Sequence, residues 1–263
     1  GSFSNVVNNP FVIALSVRDN ETLPATTLDD SQVTYFANAS WFPVDDVMLF
    51  ATYSTGYKGG GFNTQGTFPA LASNQRVFDA ETSDNIEVGI KSQFFNNTLQ
   101  ANVTAYRMEL QDYQDRAFDG ISFITRNVGE LRQQGIEADI IWAPLDQLTI
   151  NGGLSLLDSE FLDYQNASPL PGGPVQDLTG GEAHVSPDVQ GSLVADWSDS
   201  LGFDNLGYFL RAELQYIGEQ NLGGNTNNNP QSVQGAYSLV NARIGLAADD
   251  DNWRLTLWGK NLT

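Results

Sequence analysis

Apolar side chains in this chain fall on every second residue, segment after segment. That period marks a strand whose two faces meet different surroundings. Val33, Tyr35, Ala37, Ala39 and Trp41 alternate with Thr34, Phe36, Asn38, Ser40 and Phe42. Ile86, Val88 and Ile90 lie between Asn85, Glu87, Gly89 and Lys91. The rhythm returns in 99–106, 136–142, 148–156, 190–197, 208–216, 240–246 and 253–260. With residues 47–53 it predicts about ten strands and no amphipathic helix.

The connections alternate too. Short ones at 43–46, 96–97, 144–147, 198–205 and 249–252 take turns with long ones at 59–81, 112–120, 161–185 and 219–235. In an up-and-down antiparallel sheet every second connection lies at the same end, so the tight turns gather at one end and the large loops at the other. Outer-membrane barrels sort their loops in this way, and a Greek-key sandwich has no reason to. The expected fold is all-β: an antiparallel meander of long strands forming part of a transmembrane barrel, open or incompletely closed in this piece.

Composition narrows the function. Twelve Lys+Arg against 32 Asp+Glu give a formal net charge of -20. That disfavours nucleic acid, which needs clustered cations. There is no cysteine and one histidine, His184. Thiolate chemistry is excluded, and a multi-histidine metal site or a Ser-His-Asp triad has almost no material. We therefore expect no enzyme, no catalytic residue, no metal centre and no cofactor. No apolar run approaches the ~18 residues of a membrane helix. The opening Gly-Ser, with no initiator methionine or signal peptide, reads either as a cloning scar or as the cut end of a longer protein, and the sequence is taken as a fragment.

The aromatics give an independent test of a lipid-facing wall. Trp41, Trp142, Trp197, Tyr208 and Trp253 each sit within a few residues of a short turn, on the apolar side of their strands. Tyr53, Tyr216 and Tyr237 sit near the long-loop ends. Two girdles flanking an apolar band are expected where amphipathic rings settle at membrane interfaces. The opposite face carries Gln, Asn, Thr, Glu, Asp and Arg, and there are three lysines in the whole chain. A water-filled or plugged lumen accounts for that better than an open soluble face does.

Specific strings carry a resemblance. The stretch Y-S-T-G-Y-K-G-G-G-F-N from Tyr53 to Asn63 resembles the strand-to-loop motif of TonB-dependent outer-membrane receptors. Phe78 to Thr82 followed by E-V-G-I-K from Glu87 is similar to that family's next strand. N-V-G-E from Asn127 with G-I-E from Gly135, Tyr237 to Arg243, and Trp253 to Leu262 follow in family order. The resemblance spans roughly 33–263 and matches 1–32 poorly; within that first segment 11–17 reads as one further strand. It implies part of a barrel of roughly 22 strands with a plugged lumen, cut at both ends, in the outer membrane of a Gram-negative bacterium. It also implies outer-membrane lipid as a partner, and a TonB complex reached through a plug that nothing in this sequence resembles. The implied cargo is a small molecule: a ferric siderophore, cobalamin or an oligosaccharide. The strand pattern alone fits a passive porin equally well, and a soluble all-β binding module remains the third architecture.

Ligand contacts, if this segment makes them, are expected in the long loops: Gly60, Phe62 and Asn63 in the first, His184 in the third, Asn225 in the fourth. Each has a plainer reading. The Gly59–Gly61 run suits a turn or bulge needing positive φ, and a lone loop histidine is ordinarily solvated. The run of aspartates at 249–251 lacks the spaced oxygens of a calcium loop. Arg211, Glu213, Arg243 and Arg254 on the polar face are expected to pair across strands.

Overall fold

The computed structural model describes residues 28–63, 76–118, 123–170, 172–202, 205–223, 227–248 and 252–263. The N-terminal strand expected at 11–17, the aspartate run at 249–251 and Asn225 lie outside them. In chain order the strands are β1 (Phe36–Val44), β2 (Val47–Lys58), β3 (Gly61–Phe62), β4 (Val77–Phe78), β5 (Glu81–Phe94) and β6 (Leu99–Gln111). They continue with β7 (Gln114–Phe118), β8 (Phe123–Asn127), β9 (Glu130–Leu145), β10 (Leu148–Asp163) and β11 (Val189–Ser200). The last five are β12 (Leu206–Ile217), β13 (Gln220–Asn221), β14 (Val233–Gln234), β15 (Tyr237–Ala248) and β16 (Arg254–Gly259).

Ten of these make one antiparallel sheet, in the order β1-β2-β5-β6-β9-β10-β11-β12-β15-β16. The other six form three small hairpin ladders inside long connections. Every neighbour in the large sheet is the next long strand along the chain, so it is an up-and-down meander. Among the described residues it is not closed: β1 and β16 each pair on one side only. All tight turns fall at one end and all long connections at the other, as the alternation of loop lengths predicts.

Several boundaries differ from the sequence reading, three of them in the long-loop half of the sheet. β1 begins at Phe36, although Tyr35 still pairs with Thr55, whose N–H donates to its carbonyl at 2.9 Å. The long connection expected at 112–120 runs to 129, because β7 and β8 form a hairpin within it. The third long connection begins only after Asp163 and ends at 188, because β10 continues past Phe161.

The register sorts the side chains cleanly, since partners across an antiparallel pair point to the same face. Leu49, Ile90, Val103, Ala138 and Leu154 lie in one row. One residue along, Lys91, Asn102 and Asp139 lie in a row on the other face. On that polar face side chains from β1, β2, β5, β6 and β9 line a single cleft, so it is concave. Among the described residues nothing covers the apolar face: Val103, Leu154, Leu193, Leu214 and Ile244 are all exposed. Among the described residues, all the buried apolar side chains lie at the long-loop end.

Two details show how the wall is built. The turn between β5 and β6 holds Phe95, Asn96 and Asn97 at φ 55°, 56° and 67°, a conformation asparagine tolerates better than most residues. Gly89 and Gly245 are required by close approach. A β-carbon there would stand 2.5 Å and 2.4 Å from the rings of Phe50 and Phe209, which lie flat across the strand.

Candidate functional site

The polar, concave face and the long-loop end together form the candidate site. On the concave face the guanidinium of Arg211 donates to Asp196 at 2.8 Å and to Glu213 at 2.6 Å, and Arg243 donates to the same Glu213 at 2.9 Å. The expected cross-strand pairing therefore holds for these three. Arg254 lies over the Phe209 ring, 5.0 Å from its centroid.

At the long-loop end the connections are laced into one cap. Asn63 pairs with the Thr125 backbone in both directions: its Nδ2 donates to the Thr125 carbonyl at 2.7 Å and its Oδ1 accepts from the Thr125 N–H at 2.8 Å. Asn127 does the same with Asp79, at 2.9 Å and 2.7 Å. Gln114 donates to the carbonyls of Gly59 and Asp79, while its own N–H donates to the buried Glu81 carboxylate at 2.7 Å. The third loop joins the fourth where Gln176 donates to the Asn227 carbonyl at 2.6 Å.

Beneath these bonds is a small core of Leu131, Phe161, Tyr164, Ala167 and Leu178, flanked by Leu110, Tyr113 and Val128. The Tyr164 hydroxyl donates to buried Asp115. Burial first, and the Asp115 charge second, push that phenol far above its ordinary range.

The expected ligand contacts are distributed over this cap. Asn63 spends both ends of its amide on the Thr125 backbone. Gly60 donates its N–H to Asp30 at 2.9 Å, and a β-carbon on it would come within 2.7 Å of the Phe78 carbonyl. Glycine is needed there for close approach, not for the positive φ the sequence suggests; Gly60 is not among the positive-φ residues. Phe62 pairs with Val77 and leaves its ring half exposed.

His184 is partly buried rather than solvated, with both ring nitrogens buried and without a hydrogen-bond partner among the described residues. Burial lowers its pKa below the ordinary 6.5, and the Asp115 charge only partly opposes this. The folded cap thus favours the neutral ring. As pH falls through 6.5, an opened cap takes up a proton that the closed one refuses, so closure loses stability toward acid. Amide exchange across 164–188, corrected for intrinsic rate, is expected to quicken between about pH 8 and pH 5.5. The substitution His184→Phe should remove that acceleration; an equal acceleration in the variant would place the sensitivity elsewhere.

The register also places the aromatics. Trp41, Trp142, Trp197, Tyr208, Tyr53 and Tyr216 share the apolar face. The Trp197 indole donates to the Tyr208 hydroxyl at 3.1 Å. Trp253 is half exposed immediately before β16. Tyr237 differs: it pairs with Ile217, in phase with Asn241 and Arg243, and so stands on the polar face, where it cannot belong to a lipid-facing girdle.

With this geometry established, the chain can be set beside known proteins. The family model described as TonB dependent receptor-like, beta-barrel, matches residues 5–262. A ferric-pyoverdine M114 receptor, PbuA, from Pseudomonas sp. (strain M114) is 25% identical over 238 residues, covering 89% of this chain and 26% of that protein. A probable TonB-dependent siderophore receptor, PiuA, from Acinetobacter baumannii is 24% identical over 168 residues, covering 63% and 22%. The chain therefore spans about a quarter of the length of these curated relatives. The crystal structure of the ferric yersiniabactin uptake receptor FyuA from Yersinia pestis superposes with a TM-score of 0.70 at 18% identity, covering 89% of this chain and 32% of that one.

Proposed function

This chain belongs to the TonB-dependent receptor family of the Gram-negative outer membrane, and from that premise we propose that it is part of the wall and loop cap of a receptor for a ferric siderophore. The observation that carries the reading is the family match along nearly the whole chain; the curated relatives, which are siderophore receptors, supply the cargo class. Residues 33–263 supply barrel wall, and the apolar face meets lipid, with Trp41, Trp142, Trp197, Tyr208 and Trp253 at one interface and Tyr53 and Tyr216 at the other. A closed barrel satisfies every strand's backbone groups, which lipid cannot do. The cap receives the iron complex, with Phe62 and His184 as the residues of this segment nearest to that role, and the lumen passes it inward when a TonB complex supplies the energy. No covalent chemistry is involved.

Uptake decides the matter. A strain lacking the intact receptor, grown under iron limitation, is expected to lose accumulation of radiolabelled iron from its cognate siderophore and to regain it on complementation. Removing TonB should abolish the same uptake. Accumulation that persists without TonB would identify a passive pore instead.

A further inference from the structure

Two neighbouring residues of the cap each carry a conformational cost. Val185 sits at φ 57°. Asparagine or aspartate holds six of the eight positive-φ non-glycine positions among the described residues, and Val185 is the one β-branched residue there. A branched side chain in that region is strained, and such strain persists only where surrounding contacts enforce it. Val185 gains no burial in return, since it is 64% exposed. Next to it, His184 has both ring nitrogens buried with no partner among the described residues. A polar group so placed has given up water without replacing it.

The bonds that enforce this conformation can be traced. The Phe161 N–H donates to the Gly181 carbonyl at 2.8 Å, and the Leu157 N–H donates to the Asp188 carbonyl at 2.9 Å. Between these two bonds β10 covers 157–161 while the facing chain covers 181–188, three residues longer, so that chain cannot follow the ladder. In the middle of the surplus, one peptide unit makes two bonds. The Val185 N–H donates to the Asn221 carbonyl at 2.9 Å, and the His184 carbonyl accepts from the Ser186 hydroxyl at 3.2 Å. Asn221 belongs to β13 and pairs with Val233 of β14; the Leu222 N–H beside it donates to the Ser232 carbonyl at 2.8 Å. The strained peptide is therefore a joint between the third loop and the hairpin of the fourth.

We propose that 181–188 is a strained catch that ties the hairpin of the fourth loop to the third and releases it in one step. Turning over the 184–185 peptide takes Val185 to negative φ and ends its strain. The same rotation carries the Val185 N–H away from Asn221 and the His184 carbonyl away from Ser186, and it leaves the imidazole free to reach water. The closed arrangement keeps the bonds and bears both costs; the released one gives up the bonds and sheds them. Opposed terms of this kind make an element with two discrete arrangements, not a continuously compliant loop. Release brings His184 to the surface, where the cargo contact proposed above would form. That consequence rests on the siderophore reading; the catch itself does not.

The test follows amide exchange, corrected for intrinsic rate, in the intact receptor in phospholipid vesicles at pH 8, where the imidazole is neutral in both arrangements. Asparagine accepts positive φ, so Val185→Asn is expected to slow exchange at residue 185 and at Leu222 together, roughly tenfold. Val185→Pro fixes φ negative and removes the N–H, and should speed exchange at Leu222 by about tenfold or more. Val175 is an exposed valine of the same loop and is not among the positive-φ residues. Val175→Asn should therefore leave the amides of 185 and Leu222 unchanged, and β12 should keep its protection in all three variants. Slowing at residue 185 alone would make the strain a local matter and overturn the catch. Unchanged or faster exchange at Leu222 in Val185→Asn, or an equal slowing by Val175→Asn, would overturn it as well. None of these readouts involves cargo, so they stand or fall separately from the siderophore reading.

Discussion

Replacing Leu154 by arginine is expected to destabilise the barrel by about 2–4 kcal/mol in a bilayer, the usual cost of a cation near the hydrocarbon midplane of a strand. Leu154 lies in the row of Val103 and Ala138, with apolar rows on either side, and is 46% exposed with no layer of the described residues above it. In a soluble sandwich that position would face water or a second sheet. Here its surroundings are acyl chains, which offer an arginine neither hydration nor a partner. Ser155, one residue on, pairs with Glu137 and Gln190 on the polar face. Arginine at 155 meets water and a carboxylate and should cost less than ~1 kcal/mol. Guanidinium titration of the intact receptor in phospholipid vesicles measures both changes. Equal costs at 154 and 155 would contradict the lipid-facing assignment of this sheet face.

The wall was legible because every decision in it is local. A residue's face follows from the parity of its position, and the band and lumen impose opposite chemistries on odd and even positions. Leu99, Ala101, Val103 and Ala105 can be assigned with no knowledge of what β5 or β9 contributes. Tyr237 obeys the same rule. It stands near a long-loop end, as an interfacial ring would, but it is out of phase with Val240, Ala242 and Ile244. Parity, available in the sequence, places it in the lumen. The cap is another matter. Asn63 and Thr125 lie 62 residues apart, and Tyr164 and Asp115 lie 49 apart. No short-range pattern announces an amide that substitutes for a strand partner. The hairpin of β7 and β8 was hidden for a related reason: Q-D-R-A-F and F-I-T-R-N have no clean alternation, because they pack against other loops instead of separating lipid from water.

The largest effect expected in the cap comes from Phe161→Ala. Phe161 is 2% exposed. Its ring meets Tyr164 edge-on at 4.9 Å between centroids and Tyr113 at 6.1 Å. Truncating a buried phenylalanine costs about 3–5 kcal/mol, the lost transfer energy plus the cavity left behind. The barrel does not bear this loss. Its strands are held by continuous ladders from β1 to β16, whereas the cap depends on one small core. Amide exchange in 164–188 is therefore expected to accelerate by about 10²–10³-fold, while β5, β6 and β12 keep their protection and the barrel keeps its resistance to heat. The loss should spread to 112–129, because Asp115 and Val128 share that core's contacts, and from there to the first loop through the two asparagine clamps at Thr125 and Asp79. Phe62→Ala, at a half-exposed ring on the edge of the same cap, should change exchange by less than about tenfold. Wholesale melting of the barrel by Phe161→Ala would show that cap and wall fold as one unit. Acceleration confined to 164–188 would show that the loops, despite their clamps, open one at a time.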